Sequence, residues 1–315
     1  MITVDPALFR ADLEAKPASL RALAGHLATH RPWEFARGIR RVIFLGMGSS
    51  RYAAQVAARR LRRAGLDASA EYASAEGSAP PRDDTLVVAI SATGASQETL
   101  DAVATLPSYV TLTNNPESPL ARRAAHAVEM HAGVEHGGVA CRSFQHTLIL
   151  LDALVAHLTG DGPAPIVEAA EATEDLLTRR PEWLARCGDL LKGDGVFPIA
   201  PVERISSALQ SALMFREGPR VPADGCETGD WSHVDVYLTK TLRYRALLFP
   251  GSHYDGPALE WLHRRGSTIV SVGGDVPGAA QVIRFRHDDD FRVRLLTETL
   301  IAELVAAEWW SQGAA

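Results

Sequence analysis

Twice within its first hundred residues the chain runs an apolar segment straight into a turn of glycines and hydroxyls, and then into helical spacing. Arg41-Val42-Ile43-Phe44-Leu45 leads into Gly46-Met47-Gly48-Ser49-Ser50, and Leu86-Val87-Val88-Ala89-Ile90 leads into Ser91-Ala92-Thr93-Gly94-Ala95-Ser96. Continuous apolar runs that alternate with helices read as strands of a parallel sheet buried on both faces. At the start of a helix, free backbone N–H groups and the positive end of the helix dipole point at the same spot, which makes an anion site. Ser and Thr hydroxyls add donors. Two such turns on neighbouring strands can converge on one phosphate. Gly48, Ser49, Ser50, Ser91, Thr93, Gly94 and Ser96 are therefore candidate anion-binding residues. The plainer alternative is that these hydroxyls only cap helices.

The same alternation runs through the chain and predicts two doubly wound α/β domains in tandem, of the flavodoxin-like type. Residues 1–37 read as an N-terminal helical segment, with Leu8, Leu13, Leu20, Leu23 and Leu27 at near-helical spacing. Residues 38–160 hold strands near 40–46, 68–73, 85–91, 108–113 and 126–130, closed by a helix over 138–159. Residues 161–190 form a helical linker. Residues 191–315 hold strands near 194–199, 244–249, 267–272 and 281–285, helices over 203–216 and 255–265, and one long helix over 291–311. Right-handed crossovers would place the connecting loops at the carboxyl ends of the strands, where ligands bind in such sheets.

Composition narrows the function classes. The 315 residues are 46% hydrophobic and 22% charged, enough for full cores. Net charge is −6 with no basic run, which argues against nucleic acid as a partner. No apolar run approaches the roughly 20 residues of a membrane helix, and no secretory signal opens the chain. Cys141, Cys187 and Cys226 stand without CxxC spacing, so no zinc site or disulfide framework is expected. A cytoplasmic protein without metal or other cofactor is the expectation.

In order along the chain, these pieces resemble the double sugar-isomerase (SIS) domain family, which includes the isomerase half of glucosamine-6-phosphate synthase and aminosugar-phosphate deaminase/isomerases. Gly48-Ser49-Ser50 resembles the family's Gly-Thr-Ser. Ser91-Ala92-Thr93-Gly94 with Ser96 and Thr99 resembles its Ser-Gln-Ser-Gly-Glu-Thr. Ala132 to Ala140, containing Glu135, Gly138 and Val139, resembles the loop after the last strand of the first domain. Arg216-Glu217 stands where the family has Lys-Glu, and His233 follows sixteen residues after Glu217. The resemblance implies a sugar-phosphate aldose–ketose isomerase or aminosugar-phosphate deaminase/isomerase, with no glutaminase domain. Its phosphate would lie among the two hydroxyl turns, with Gly138 and Val139 also near substrate. Glu217 would act as base and His233 would assist ring opening, the histidine coming from the neighbouring subunit of a homodimer with a shared site.

Further roles stay open. Glu135 and Arg142 are possible sugar contacts or simply packing groups, and Asp230 or Glu227 could orient His233 in what reads as a polar loop. The chain departs from the family at Ala92, which lacks the usual glutamine amide, at Met214, which replaces a lysine, and at Val234-Asp235, which replaces Gly-Pro. Those departures keep two alternatives in view: a protein that binds and senses a sugar phosphate without turnover, and a related enzyme acting on an unusual sugar in secondary metabolism.

Overall fold

A computed structural model describes residues 4–76 and 80–313. The chain divides into two compact units. The first holds Ser19–Glu135 and Ala140–Ile166. The second holds the residues up to Ala18, the short segment His136–Val139, and the chain from Val167 onward.

The first unit is built on five parallel strands: β1 (Arg41–Gly46), β2 (Asp67–Tyr72), β3 (Thr85–Ile90), β4 (Val110–Thr113) and β5 (His126–Glu129). Their order across the sheet is β2-β1-β3-β4-β5. β1 and β3 are nearly all buried because helices cover both faces of a parallel sheet. Ile43, Leu45, Val87 and Ala89 pack with Val103, Tyr109 and Leu120 in one core cluster. The helix Gly48–Arg63 packs on β1, β2 and the helix Arg142–Thr159. Trp33, fully buried, donates from its indole nitrogen to the Leu150 carbonyl at 2.7 Å and fixes the segment ahead of β1.

The second unit has β6 (Phe197–Ala200), β7 (Cys226–Glu227), β8 (Arg245–Leu248), β9 (Thr268–Val272) and β10 (Gln281–Ile283), all paired in parallel. The order is β10-β9-β8-β6-β7. Read from β7, this is second-first-third-fourth-fifth, the same winding as the first sheet. Its core gathers Phe197, Ile199, Trp231, Tyr244, Leu248 and Leu262. The buried pair Lys16–Glu303 ties the N-terminal region to the helix Thr299–Ser311. Trp309 is buried against Phe215, and Trp310 lies against Phe9.

Three expectations are corrected. The helix expected from 138 starts at Arg142, because Gly137 is drawn away: its N–H donates to the Asp12 carboxylate at 2.7 Å. The helix expected over 291–311 is two, Phe291–Thr297 and Thr299–Ser311, broken at Glu298, whose carboxylate is buried against Arg204. The polar loop expected around His233 contains β7 and a one-turn helix, Thr228–Trp231.

Candidate active site

In a sheet wound 2-1-3-4-5, the connections from the first and third strands leave toward opposite faces and open a crevice beyond their carboxyl ends. Here those strands are β1 and β3, paired in register from Arg41↔Thr85 to Leu45↔Ala89. The two hydroxyl turns are the two lips of that crevice.

At the first turn the helix begins at Gly48, two residues after β1 ends. The capping position is Met47, whose thioether makes no capping hydrogen bond. Gly48 has φ +47°, a left-handed conformation that side chains resist, and open space around its missing Cβ. Among the described residues, the hydroxyls of Ser49 and Ser50 have no hydrogen-bond partner. Capping does not account for this turn.

The second turn is partly self-satisfied. The Ser91 hydroxyl accepts from the Gly94 N–H at 3.2 Å, and the Thr93 hydroxyl accepts from the Ala95 N–H at 3.3 Å. Ser96 leads into the helix Gln97–Val103 without capping it, and its hydroxyl donates to Thr99 Oγ1 at 2.7 Å. Ser91 is buried whereas Thr93 is exposed. Gly94 has φ +63°, and a Cβ there would sit 2.0 Å from Ser118 Oγ. Gly94 is therefore required by the turn itself, whatever the turn binds.

Glu135 is engaged at a helix start. Its Oε1 accepts from the N–H groups of Cys141 and Arg142, both at 2.7 Å, and of Ser143 at 3.1 Å, while Oε2 accepts from the Ser143 hydroxyl at 2.6 Å. A carboxylate thus fills the anion site of the helix Arg142–Thr159 from within. The Arg142 guanidinium donates to the Val134 carbonyl. Gly138 and Val139 belong to the second unit, and the Val139 side chain is buried.

Glu217 ends the helix Ile205–Glu217 and is exposed. Three residues on, Arg220 holds φ +60°, unusual for a side chain of that size. His233 is exposed two residues after the helix Thr228–Trp231. The expected orienting carboxylates do not hold its ring. Glu227 instead caps that helix, accepting from Gly229 and Asp230 N–H at 2.8 and 2.9 Å, and Asp230 receives the His233 backbone N–H on its carbonyl at 2.8 Å. What fixes this segment lies beneath it. Trp231 Nε1 donates to Tyr244 Oη at 2.8 Å, and Tyr244 Oη donates to Asp235 at 3.0 Å. Burial raises the pKa of Asp235 and of Tyr244 and, with nearby carboxylates adding, pushes the Cys226 thiol up to about 12. That thiol is inert at neutral pH. The sequence signal for this anchor was an aspartate and a tryptophan bracketing the histidine.

Next to Ser50, the Arg51 guanidinium lies 3.7 Å above the Tyr72 ring at the end of β2. Among the described residues, no group of His, Cys, Asp and Glu side chains is arranged to hold a metal ion, and no helix is long and apolar enough to cross a membrane.

Comparison with known proteins matches residues 37–157 to the SIS domain family. That stretch contains all of the first sheet and both hydroxyl turns. The isomerizing glutamine–fructose-6-phosphate aminotransferase of Sulfurisphaera tokodaii is 24% identical over 212 residues, which are 66% of this chain and 36% of that protein. The chain spans less than half the length of the curated relatives it matches. Among solved structures, the C-terminal domain of glucosamine-fructose-6-phosphate aminotransferase from Francisella tularensis superposes with a TM-score of 0.81 at 16% identity, covering 98% of this chain and 96% of that one. Tagatose-6-phosphate ketose/aldose isomerase from Escherichia coli superposes at 0.79 with 14% identity, covering 97% and 92%. At such identities the likeness is one of fold.

Proposed function

We propose, from the premise that residues 37–157 are a SIS domain homologous to the isomerase region of the aminotransferases above, that this protein acts on a phosphorylated hexose or hexosamine. The reading extends the SIS assignment to the second sheet, which repeats the winding of the first. The observation that carries it is the crevice between β1 and β3, where an uncapped helix start and the hydroxyls of Ser49 and Ser50 face no partner among the described residues.

In this reading the phosphate is held by Gly48, Ser49, Ser50, Ser91, Thr93 and Ser96. Glu217 removes the proton from C2 of the open-chain aldose. The electrons form the C1–C2 double bond of an enediol, the carbonyl oxygen takes up a proton, and Glu217 returns its proton to C1 as the hydroxyl at C2 becomes the ketone. His233, contributed across a homodimer, passes a proton between ring and hydroxyl oxygens during ring opening. A carboxylate at a helix C-terminus is disfavoured by the dipole, so the position of Glu217 is not one that helix stability selects. The isomerase and deaminase versions share the C2–C1 proton transfer and differ in its outcome: the isomerase keeps the C2 oxygen as the ketone, whereas the deaminase forms a C2 imine that water hydrolyses to the ketone with release of ammonia.

The test is solvent-proton exchange at C2 of hexose and hexosamine 6-phosphates. Wild type is expected to exchange, and Glu217→Gln to lose about 10²–10⁴-fold in rate while still being stabilised by ligand. A second reading, a sensor that binds without turnover, draws on the absence of an orienting partner on the His233 ring among the described residues. Stabilisation by ligand without any exchange favours the sensor.

A further inference from the structure

Four of the six tryptophans are buried, and three of these place the indole N–H on an acceptor. Trp33 donates to the Leu150 carbonyl at 2.7 Å, Trp183 to the Leu176 carbonyl at 3.3 Å and Trp231 to Tyr244 Oη at 2.8 Å. The fourth, Trp309, makes no hydrogen bond among the described residues, although a buried indole N–H ordinarily finds a partner. Its ring is held by Phe215, with centroids 5.3 Å apart. Its Nε1 lies against Gly188, in the interior of the helix Arg180–Leu191, where a Cβ would stand 3.2 Å away. Glycine is disfavoured inside a helix, and here it leaves the donor uncovered.

That donor faces a groove. The helices Arg180–Leu191 and Thr299–Ser311, with Arg10 of the helix Pro6–Glu14, bound about 470 Å³ within the second unit, and Gly188 and Trp309 both line it. This is the size of a small-molecule site. Leu184, Ala185, Leu304 and Val305 give it an apolar wall. Arg10, Arg180 and Lys192 also line it, against two carboxylates, Asp189 and Glu308. Both carboxylates are engaged away from the indole. Glu308 accepts from Arg10 at 2.9 Å and from Gln312 at 2.7 Å, and Asp189 accepts from Lys192 at 3.0 Å. Arg10 uses only Nη2 and Arg180 only Nη1, so each guanidinium keeps N–H donors without a partner among the described residues.

We propose that this groove binds a small organic carboxylate with an apolar body. The carboxylate accepts from the Trp309 indole and from the spare guanidinium donors, and the body lies on the Leu184 and Leu304 wall. A ligand that offers only donors leaves the indole as it is. The site uses none of the residues given to the sugar phosphate and is independent of that reading.

The experiment follows the indole N–H magnetic resonances of the full chain during titration with phenylacetate and isovalerate, with phenylacetamide and benzylamine as controls. The resonance absent from Trp309→Phe identifies the Trp309 donor. It is expected to move saturably with at least one of the carboxylates and to stay in place with benzylamine. By calorimetry, Trp309→Phe, which keeps an aromatic ring against Phe215 and removes the donor, is expected to weaken carboxylate binding about tenfold or more. Arg10→Gln with Arg180→Gln, at partly exposed positions, is expected to remove the preference for phenylacetate over phenylacetamide, and serves alone should Trp309→Phe lower the melting temperature. A Trp309 resonance unmoved by both carboxylates overturns the proposal. So does wild-type carboxylate affinity in the variants, or benzylamine binding as tightly as phenylacetate.

Discussion

The crevice beyond β1 and β3 and the one beyond β6 and β8 stand at the same place in two sheets of identical winding, and they differ in what fills them. Beyond β8, Gly251 and Ser252 offer backbone N–H groups much as the first turn does, but Asp255 of the chain itself accepts both, at 2.6 and 3.1 Å. Arg204, almost fully buried, donates to Glu298 at 2.8 Å and to the Pro250 carbonyl at 2.8 Å. Arg294 adds a donor to the same carbonyl at 3.1 Å. The second crevice thus carries its own anion and its own cations, locked to each other. The first carries the Ser49 and Ser50 hydroxyls, which face no partner among the described residues. Winding alone provides the place for a ligand, and side chains decide whether the place stays open.

The largest way to break the comparison is to open the closed crevice. Arg204→Ala leaves Glu298 buried without its strongest partner, and is expected to destabilise the second unit by about 3–5 kcal/mol in urea unfolding. A loss below about 1 kcal/mol would mean the pair does not hold that crevice shut. Next in size is Gly94→Ala in the open crevice. Forcing a Cβ against Ser118 in a left-handed backbone conformation is expected to cost about 2–4 kcal/mol and to abolish ligand binding. Binding that survives with wild-type affinity would show that the second turn can shift without consequence.

A smaller effect separates the crevices by pH. Burial raises the Asp255 pKa, opposed by the Gly251 and Ser252 donors and by Arg204 and Arg294. An acid whose folded pKa lies above its unfolded value, about 3.9, favours the folded state while protonated. That contribution is complete below the unfolded pKa and disappears as pH rises through the folded one. Asp235 and Glu298, also raised by burial, act with the same sign. Replacing Asp255 with Asn keeps an acceptor for Gly251 and Ser252 and removes the titration. The stability difference between Asp255→Asn and wild type should therefore shift in favour of the variant as pH increases from about 4 to 7. A pH-independent difference would remove Asp255 from the account.

How much of this was legible in the sequence depends on the range over which each feature is encoded. β1 and β3 were readable because a buried parallel strand is an unbroken apolar run, and their turns because glycine and hydroxyl residues sit within a few positions of the strand ends. β7 was not: a two-residue strand has no period. The break at Glu298 was invisible because its cause, Arg204, lies far away in sequence. Likewise, Glu135 reads from sequence as either a sugar contact or a packing group, because its bonds to the Cys141, Arg142 and Ser143 N–H groups depend on how the loop turns into the helix. The hydroxyls divided in a way composition does not encode. Ser91 and Thr93 are partly used by their own turn, whereas among the described residues the Ser49 and Ser50 hydroxyls are not.

The smallest expected effect follows from that division. An anion that binds only the folded protein at ten times its dissociation constant stabilises by about 1.4 kcal/mol. In the open crevice this gain depends on donors facing no partner, so Ser49→Ala with Ser50→Ala should erase most of the stabilisation by a hexose 6-phosphate while leaving the unliganded melting temperature nearly unchanged, since neither hydroxyl makes a hydrogen bond that folding would lose. Ser252→Ala, in the closed crevice, should leave ligand stabilisation intact, because Asp255 already accepts the backbone donors there. Were the two replacements to reduce ligand stabilisation equally, the crevices would not differ in the way their contents suggest, and the anion site would have to be sought outside both.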